Sequence, residues 1–216
     1  MLGNLQKEAD LCDDTLTSPT PSIHTILIQA ARAAAEKREV ITFDVGQAFL
    51  NAQLETKGKE HIILRLSAPV AEILIQLDSS YRQYLCIDGT MLVKLKKVLY
   101  GLRQAPRVWF DTIRTFLLYN GFHQSKLDDC FFWKKYTDGT SIDIAIHVDD
   151  GMVTTDTLPR LNSLLAALKE KFKILKVTTR NRQEYLSMVF DFDKDSRTVS
   201  ITMPKYVNKI LNEYPL

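Results

Sequence analysis

The chain has 216 residues, of which 45% are hydrophobic and 25% are charged, a composition typical of one or two folded domains and not of a disordered or fibrous chain. The 28 Lys and Arg side chains nearly balance the 26 Asp and Glu side chains, so the net charge of +2 indicates neither a nucleic-acid nor a membrane partner. Three widely spaced cysteines without a CxxC pair exclude a disulfide scaffold and a zinc ribbon. No apolar run approaches the roughly 18 residues of a membrane span, and no signal peptide is recognisable, so we expect a cytoplasmic or nuclear protein without a membrane partner.

The N-terminal quarter contains one helix and one strand. Residues 1–22 are acidic, end in SPTPS and lack periodicity, which predicts a poorly ordered lead-in. Apolar residues recur at helical spacing from Ile23 to Arg38, behind the possible N-cap Ser22, and predict a helix. The short β-branched and aromatic run Glu39–Val45 follows and predicts a buried strand that carries Asp44 at its end.

The middle of the chain resembles an insertion between core elements. Strands are predicted over Ile62–Leu66 and Met91–Lys97, with a helix near Pro69–Leu77 between them. A second helix is predicted over Ala105–Asn120, where Pro106 is tolerated in the first turn and Gly121 ends the helix.

The second half alternates hairpins and helices. Asp138-Gly139 predicts a hairpin between two strands, and Asp149-Asp150-Gly151 predicts a second, tight hairpin. The predicted elements are strands Cys130–Tyr136 and Ile142–Val148, helix Leu158–Phe172, strands Glu184–Phe192 and Thr198–Met203, and helix Pro204–Tyr214. This order predicts an α+β fold in which helices cover one face of an antiparallel sheet.

Three Asp-Asp pairs occur, and their contexts differ. Asp13-Asp14 and Asp128-Asp129 lie in polar or turn segments and are interpreted as solvated turn acids, whereas Asp149-Asp150 lies at a hairpin tip beside the sheet. If the strand Glu39–Val45 lies next to that hairpin, its carboxylate converges on the pair, and like charges packed together require a cation. Oxygen ligands of this kind suit Mg²⁺. The alternative from spacing alone is two turn residues and an unrelated strand-end aspartate.

Three ordered motifs separate these alternatives. They are DVGQAF at Asp44–Phe49, LYGLRQAPRVWF at Leu99–Phe110, and HVDD at His147–Asp150. Together they resemble the patterns D-V-x-x-A-F-L-N, Y-G-L-x-Q-A-x-R-x-W and Y-V-D-D of the reverse transcriptases of long-terminal-repeat retrotransposons, most closely the copia type. The downstream segments YLSMVFDF and PKYVNKIL resemble that family's primer-grip strand and the helix after it. The resemblance covers the chain from about Gln6 to Tyr214.

The resemblance implies a polymerase palm with partial fingers and two-metal nucleotidyl transfer. In such a palm Asp44 and Asp149 hold two Mg²⁺ ions, Mn²⁺ being possible, while Asp150 supports them and the Val45 carbonyl is a further ligand. The partners implied are an RNA or DNA template with its primer, deoxynucleoside triphosphates, and the integrase and RNase H parts of a Pol polyprotein. An active element of this kind works in a cytoplasmic virus-like particle.

The resemblance also implies roles for residues around the carboxylates. Phe49 would exclude a 2′-hydroxyl by steric clash, and Gln104 would contact the nucleotide near its base and sugar. Without the neighbouring motif, the favoured interpretation of Phe49 is an ordinary core aromatic, and the alternative for Gln104 is a helix-capping amide. The implied nucleotide-binding residues are Gly46, Gln47, Ala48, Phe49 and Gln104, and the implied template and primer contacts are Arg103, Arg107, His147, Leu186, Ser187 and Met188.

Local charge agrees with a nucleic-acid partner. Residues 94–135 contain nine Lys or Arg against three Asp, a local net charge of +6, which is typical of a groove that follows a phosphate backbone with weak sequence preference and strong salt dependence. The alternative is an ordinary solvated basic surface.

The chain departs from the family pattern in three places. His147 replaces the usual Tyr, Ser187 replaces the usual Gly, and only Lys7 precedes Arg32 where the family carries basic fingers residues. The implied organisation is a fingers remnant over residues 1–22 and a palm over 23–216, with a fingers-like insertion in 52–135 and the primer-grip hairpin and start of the thumb in 183–216. The expected function is RNA-directed DNA synthesis; the alternative is a truncated, inactive remnant that binds nucleic acid or a protein.

Overall fold

The computed structural model describes residues 17–54 and 62–214. Expectations for residues 1–16, including the Asp13-Asp14 pair, lie outside this range. The helices are α1 (Ile23–Ala35), α2 (Ala48–Asn51), α3 (Ala68–Leu77), α4 (Ala105–Tyr119), α5 (Leu158–Phe172) and α6 (Pro204–Glu213), with a 3₁₀ helix at Ser79–Tyr84. The strands are β1 (Glu39–Val45), β2 (Ile63–Leu66), β3 (Met91–Lys94), β4 (His123–Gln124), β5 (Phe131–Lys135), β6 (Ser141–His147), β7 (Asp150–Thr155), β8 (Leu175–Thr178), β9 (Arg182–Tyr185), β10 (Met188–Asp193) and β11 (Thr198–Thr202).

A six-stranded antiparallel sheet forms the centre of the fold, in the order β4-β5-β6-β7-β1-β8. The expected hairpins β5–β6 and β6–β7 are present. Strand β1 inserts between β7 and β8 and pairs with both. The expectation that β1 lies beside the hairpin that carries Asp149-Asp150 is therefore confirmed.

One face of the sheet is covered by α4 and α5. Both helices place an apolar stripe on the alternate residues of β1, β6 and β7 that point the same way, as the period of two in a strand requires. This main core contains Ile41, Phe43, Val45, Trp109, Phe110, Ile113, Leu117, Ile142, Ile144, Ile146, Val153, Leu161, Leu164, Leu168 and Phe172.

The opposite face of the sheet is also covered, so the expectation of helices on one face only is wrong. Helix α1 and a separate three-stranded sheet, β11-β10-β9, pack there around a second core. Small alanines on α1 permit this close approach, and Gln29 donates to the backbone carbonyls of Asp143 and Met152. The second core contains Ile26, Ala30, Ala33, Ala34, Met152, Tyr185, Met188, Phe190 and Phe192.

The segment predicted as one strand over Glu184–Phe192 is a hairpin of two strands, β9 and β10. Tyr185 pairs with Met188, so Leu186 and Ser187 form a two-residue turn, with φ of 50° and 63°. Turns of this shape favour Asn and Gly, and Leu-Ser carries no such signal in the sequence. Strands β4 and β8, the short helix α2 and the 3₁₀ helix were likewise not predicted.

The middle segment contributes a separate two-stranded sheet, in which β2 pairs with β3, followed along the chain by the predicted long helix α4. Helix α3 begins one residue before the predicted helix and carries Pro69 in its first turn. Within residues 17–54 and 62–214, no helix is long and apolar enough to cross a membrane.

Candidate functional site

Four side chains form a row across the end of the sheet. In the strand register His147 pairs with Asp150, Asp150 with Asp44, and Asp44 with Lys176. Residues directly opposite each other in antiparallel strands lie on the same face, with Cβ atoms about 4.5–5.5 Å apart. The strands β6, β7, β1 and β8 therefore bring two carboxylates together, flanked by an imidazole and an ammonium group.

The third carboxylate, Asp149, lies in the two-residue turn between β6 and β7. The turn is held from two sides, because the Val45 amide donates to the Asp149 carbonyl at 2.9 Å and the Trp109 indole donates to the Val148 carbonyl at 2.6 Å. Val148 has a φ of 53°, a left-handed conformation that β-branched residues rarely adopt. The turn is therefore fixed by β1 and α4 in spite of its local strain.

The carboxylates lie in one another's electric field. Partial burial raises the pKa of Asp150, and the charges of Asp149 and Asp44 raise it further, while His147 acts in the opposite direction. Burial also raises the pKa of Tyr100, and Asp149 and Asp44 add to that effect. The site thus carries concentrated negative charge that a cation would relieve. Among the described residues, no three His, Cys, Asp or Glu side chains already enclose a position for a metal ion.

The implied nucleotide-binding segment follows Asp44 directly. The Gly46 amide donates to the Ile174 carbonyl at 3.1 Å, and a Cβ on Gly46 would lie 2.4 Å from Cγ2 of Ile174, so the close packing here requires glycine. Gln47 is exposed with a φ of 56°, and Ala48 is buried. The segment is therefore seated against the turn between α5 and β8.

Phe49 contacts both the main core and a residue near the carboxylates, so its position fits both a packing role and a role at the site. Its partly buried ring packs against the main core and also contacts the Tyr100 ring, with centroids 4.7 Å apart. Tyr100 is 51% exposed, and its pKa is raised first by burial and then by the charges of Asp149 and Asp44. The pair thus forms an aromatic wall beside the carboxylates.

Two polar side chains at the site have buried atoms without a hydrogen-bond partner. Gln104 occupies the N-cap position of α4, yet its side chain makes no capping hydrogen bond and its Oε1 atom is buried and unpaired. The capping role considered for Gln104 is therefore wrong. His147 Nδ1 is also buried and unpaired. Buried polar atoms are normally hydrogen-bonded, so both are candidates for contact with a ligand.

The implied template and primer contacts are placed differently from one another. Arg103 is exposed, and the half-buried Arg107 pairs with Asp111 at 3.0 Å. Ser187 is exposed at the hairpin turn and Leu186 is half-buried beside it, but the Met188 side chain is 6% exposed and belongs to the second core. The Met188 side chain is therefore not available to a nucleic acid in this structure.

Part of the basic segment over residues 94–135 stabilises the fold. Arg114 donates to Gln124 at 2.7 Å, and Lys134 donates to the Asn120 carbonyl at the end of α4 at 2.7 Å. Asp128, predicted as a solvated turn acid, accepts from the Ser22 and Cys130 amides and thus anchors the start of α1. The exposed lysines of this segment are Lys94, Lys96, Lys97, Lys126 and Lys135.

Comparison with known proteins identifies the family. A family model described as reverse transcriptase (RNA-dependent DNA polymerase) matches residues 3–216. The chain belongs to the reverse transcriptase family. This reverse transcriptase domain is 25% identical over 203 residues to a retrovirus-related Pol polyprotein from transposon TNT 1-94 of Nicotiana tabacum, a match that covers 93% of the chain and 14% of the relative. It is 30% identical to the Pol polyprotein from transposon RE2 of Arabidopsis thaliana over 73% of the chain and 10% of the relative.

These relatives support the copia-type assignment made from the motifs. The chain spans only about a seventh or less of their length. Among solved structures, telomerase from Candida albicans in complex with a fragment of telomeric RNA is similar with a TM-score of 0.41 and 11% identity, over 88% of this chain and 36% of that chain.

The reverse transcriptase domain carries site residues whose positions the sequence alone did not reveal. Tyr100 and Trp109 are part of the second motif, but nothing in the motif indicates that one ring lines the carboxylates and that the other supports their turn. Lys176 gave no signal, because it lies on a strand of four residues that was not predicted.

Proposed function

We propose that this domain catalyses template-directed addition of deoxynucleotides to a primer. The primer 3′-hydroxyl oxygen forms a bond to the α-phosphorus of the incoming nucleotide and loses its proton to water. The bond from the α-phosphorus to the α–β bridging oxygen breaks, and pyrophosphate leaves. The observation that carries the proposal is the alignment of Asp44 with Asp150 across β1 and β7, with Asp149 fixed beside them in a turn held by Val45 and Trp109.

The donor set suits two divalent cations. Asp44, Asp149, Asp150 and the Val45 carbonyl offer only oxygen atoms, which Mg²⁺ and Mn²⁺ prefer. Partial burial and the charges of Asp149 and Asp44 raise the pKa of Asp150, and a bound cation would relieve both effects. When bound, such ions stabilise the charge that develops on the attacking and leaving oxygens. The protein itself supplies the fixed turn, the aromatic wall of Phe49 and Tyr100, and the buried, unpaired Oε1 atom of Gln104.

The proposed partners are an RNA or DNA template with its primer and deoxynucleoside triphosphates, within a larger Pol polyprotein that also carries integrase and RNase H. The exposed Arg103 and the exposed lysines of the basic segment support contact with a phosphate backbone. The β2–β3 sheet and α3 are proposed to form the fingers-like insertion, and the β9–β10 hairpin the primer grip. The proposed site of action is a cytoplasmic particle.

Primer extension tests the proposal. Poly(rA) annealed to oligo(dT) is incubated with dTTP and Mg²⁺ or Mn²⁺, and the wild-type chain is compared with Asp149→Asn and Asp129→Asn. Asp129→Asn is a matched control, because it makes the same isosteric change in the other described Asp-Asp pair, at an exposed position. We expect extension by the wild type and the control and at least a roughly hundredfold loss in Asp149→Asn.

A folded wild-type chain that binds the duplex in a salt-sensitive way and extends no primer would contradict the proposal. That result would instead support the inactive, nucleic-acid-binding remnant.

A further inference from the structure

The segment that runs from the last turn of α5 through β8 to the start of β9 is strongly basic, and β8 is the edge strand next to Asp44. Residues 169–182 contain six Lys or Arg and one Glu, all six cationic side chains are exposed, and none forms an ion pair with any described residue. They are Lys169, Lys171, Lys173, Lys176, Arg180 and Arg182. Lys169 and Lys171 complement the C-terminal end of the α5 dipole, and Arg182 lies opposite Asp191 in the strand register. The cations that require a separate explanation are those between α5 and the end of β8.

Lys176 is the member of this group that faces the site. Its register partner on β1 is Asp44, so both side chains lie on the same face of the sheet. Even so, the two do not form an ion pair. The ammonium group of Lys176 is therefore available to an anionic ligand, other than Asp44, that lies next to the carboxylates.

Lys173 lies in the turn between α5 and β8 on which the nucleotide-binding segment is seated. It has φ 65° and ψ −55°, and the Ile174 amide donates to the Phe172 carbonyl at 2.7 Å, which makes Lys173 the centre of a γ-turn of the rare, strained kind. The carbonyl of Ile174 in turn accepts the hydrogen bond from the Gly46 amide. Lys173 and Lys176 thus flank the residue on which the segment Gly46–Ala48 is seated.

The two arginines near the start of the domain form ion pairs away from the carboxylates. Arg32 pairs with Glu36 and Asp143, and Arg38 is buried with Glu36, Asp143 and Asp156. These pairs lie at the end of β6 and β7 that is remote from Asp149. Within residues 17–54, no other arginine or lysine lies beside the site, since Lys37 precedes the far end of β1.

We propose that Lys173 and Lys176 bind the triphosphate of the incoming nucleotide. This inference rests on the proposed function and adds the residues that offset the charge of the substrate. A triphosphate placed along Gly46–Ala48 would bring several negative charges next to three carboxylates, and lysine is a common partner for phosphate as a mobile point charge. Lys176 lies beside Asp44, and Lys173 lies at the turn that receives Gly46.

The experiment compares Lys173→Gln, Lys176→Gln and the double variant with the wild-type chain. Lys37→Gln is the matched control, because Lys37 is exposed and lies roughly 20 Å from Asp44 along β1. Three quantities are measured: KM and kcat for dTTP in primer extension, the Kd of inorganic tripolyphosphate with Mg²⁺ by calorimetry, and the Kd of the primer–template duplex. Thermal melting confirms that each variant is folded.

We expect each single variant to raise KM for dTTP and the Kd of tripolyphosphate about tenfold, with kcat and the duplex Kd within about twofold of wild type. An unchanged tripolyphosphate Kd in the double variant would overturn the inference. A weakened duplex Kd with unchanged dTTP parameters would also overturn it and assign the lysines to the nucleic-acid backbone. If the wild type extends no primer, the proposed function fails, and tripolyphosphate binding still decides the role of the lysines.

Discussion

The indole nitrogen of Trp109 donates a 2.6 Å hydrogen bond to the Val148 carbonyl, and this bond connects the middle of the second motif to the turn of the third. Trp109 is fully buried and packs edge-on against Phe172 of α5. One side chain thus couples the main core to the loop that positions Asp149. The two motifs are far apart in the sequence, but this hydrogen bond joins them in the folded protein.

Trp109→Phe is expected to destabilise the protein by about 2–3 kcal/mol, because the substitution removes the hydrogen bond and leaves a small cavity. Primer extension should fall more than binding of the duplex, since the turn loses its support while the outer surface is unchanged. Urea unfolding and steady-state kinetics check both effects. Trp133→Phe, at a position 40% exposed, should change stability by less than about 0.5 kcal/mol. Equal losses in the two variants would contradict the structural role of Trp109.

Ser187→Gly is expected to stabilise the protein by about 1 kcal/mol. Ser187 has a φ of 63° in the two-residue turn between β9 and β10, a conformation that costs less for glycine than for a residue with a Cβ. Urea unfolding measures the difference. The control is Ser200→Gly in β11, an extended strand position where glycine should destabilise instead. A loss of stability in Ser187→Gly would show that the hairpin does not require the left-handed conformation.

Asp143→Asn is expected to destabilise the protein by about 3 kcal/mol. Asp143 is 3% exposed, and its Oδ2 lies 2.7 Å from Arg32 and 3.4 Å from the fully buried Arg38. Removal of the carboxylate leaves the Arg38 charge in the protein interior with weaker compensation. The double variant Arg38→Met with Asp143→Leu should recover most of the loss in urea unfolding, and a double variant less stable than Asp143→Asn would contradict this account.

Asp138 makes folding stability depend on pH in acid. The hydroxyl and amide of Thr140 lower the pKa of Asp138 to about 2, with a further contribution from Arg160. Because the folded pKa lies below that of the unfolded chain, this stabilisation is present above about pH 4 and is lost as the pH falls towards 2. Unfolding in urea between pH 2 and 5 should show a shallower pH dependence in Thr140→Val and the shallowest in Asp138→Asn. Identical slopes in all three proteins would exclude the contribution of Asp138.

Phe49→Ala is expected to increase the use of rUTP relative to dTTP by about tenfold or more, because discrimination by steric clash is lost with the side chain. The readout is the ratio of kcat/KM for the two nucleotides. Tyr100→Phe is the control, since it retains the ring that contacts Phe49 and should leave the ratio nearly unchanged. An unchanged ratio in Phe49→Ala would reduce Phe49 to its packing role in the core.

Periodicity and turn chemistry predicted the long elements of this fold. Strand β1 and helix α5 begin and end at the predicted residues, since each carries an unbroken apolar pattern. The position of α1 on the opposite face of the sheet was not predicted, because an alanine-rich helix does not encode which surface it covers. The β9–β10 turn was missed because its left-handed residues are Leu and Ser, whose conformation is imposed by the packing of the two strands.

The residues of the candidate site could be predicted from the sequence, but their arrangement in space could not. The aspartates and the aromatic and amide residues could be named from the three motifs, because motif positions carry chemical identity. The alignment of Asp44 and Asp150 into a row with His147 and Lys176 depends on strand register. The pairs of Asp44 with Asp150 and of Asp44 with Lys176 join residues more than 100 positions apart. No local sequence pattern determines the register between strands that are so far apart in the chain.

Strand β8 is an outer edge of the six-stranded sheet. An unpaired strand edge is a template for pairing with another copy of the same chain, and natural proteins often block such edges with lysine. Lys173 and Lys176 thus place electrostatic repulsion where two molecules would otherwise associate edge to edge. The two lysines proposed to bind the triphosphate therefore also lie where an edge-to-edge contact between two copies of the chain would form.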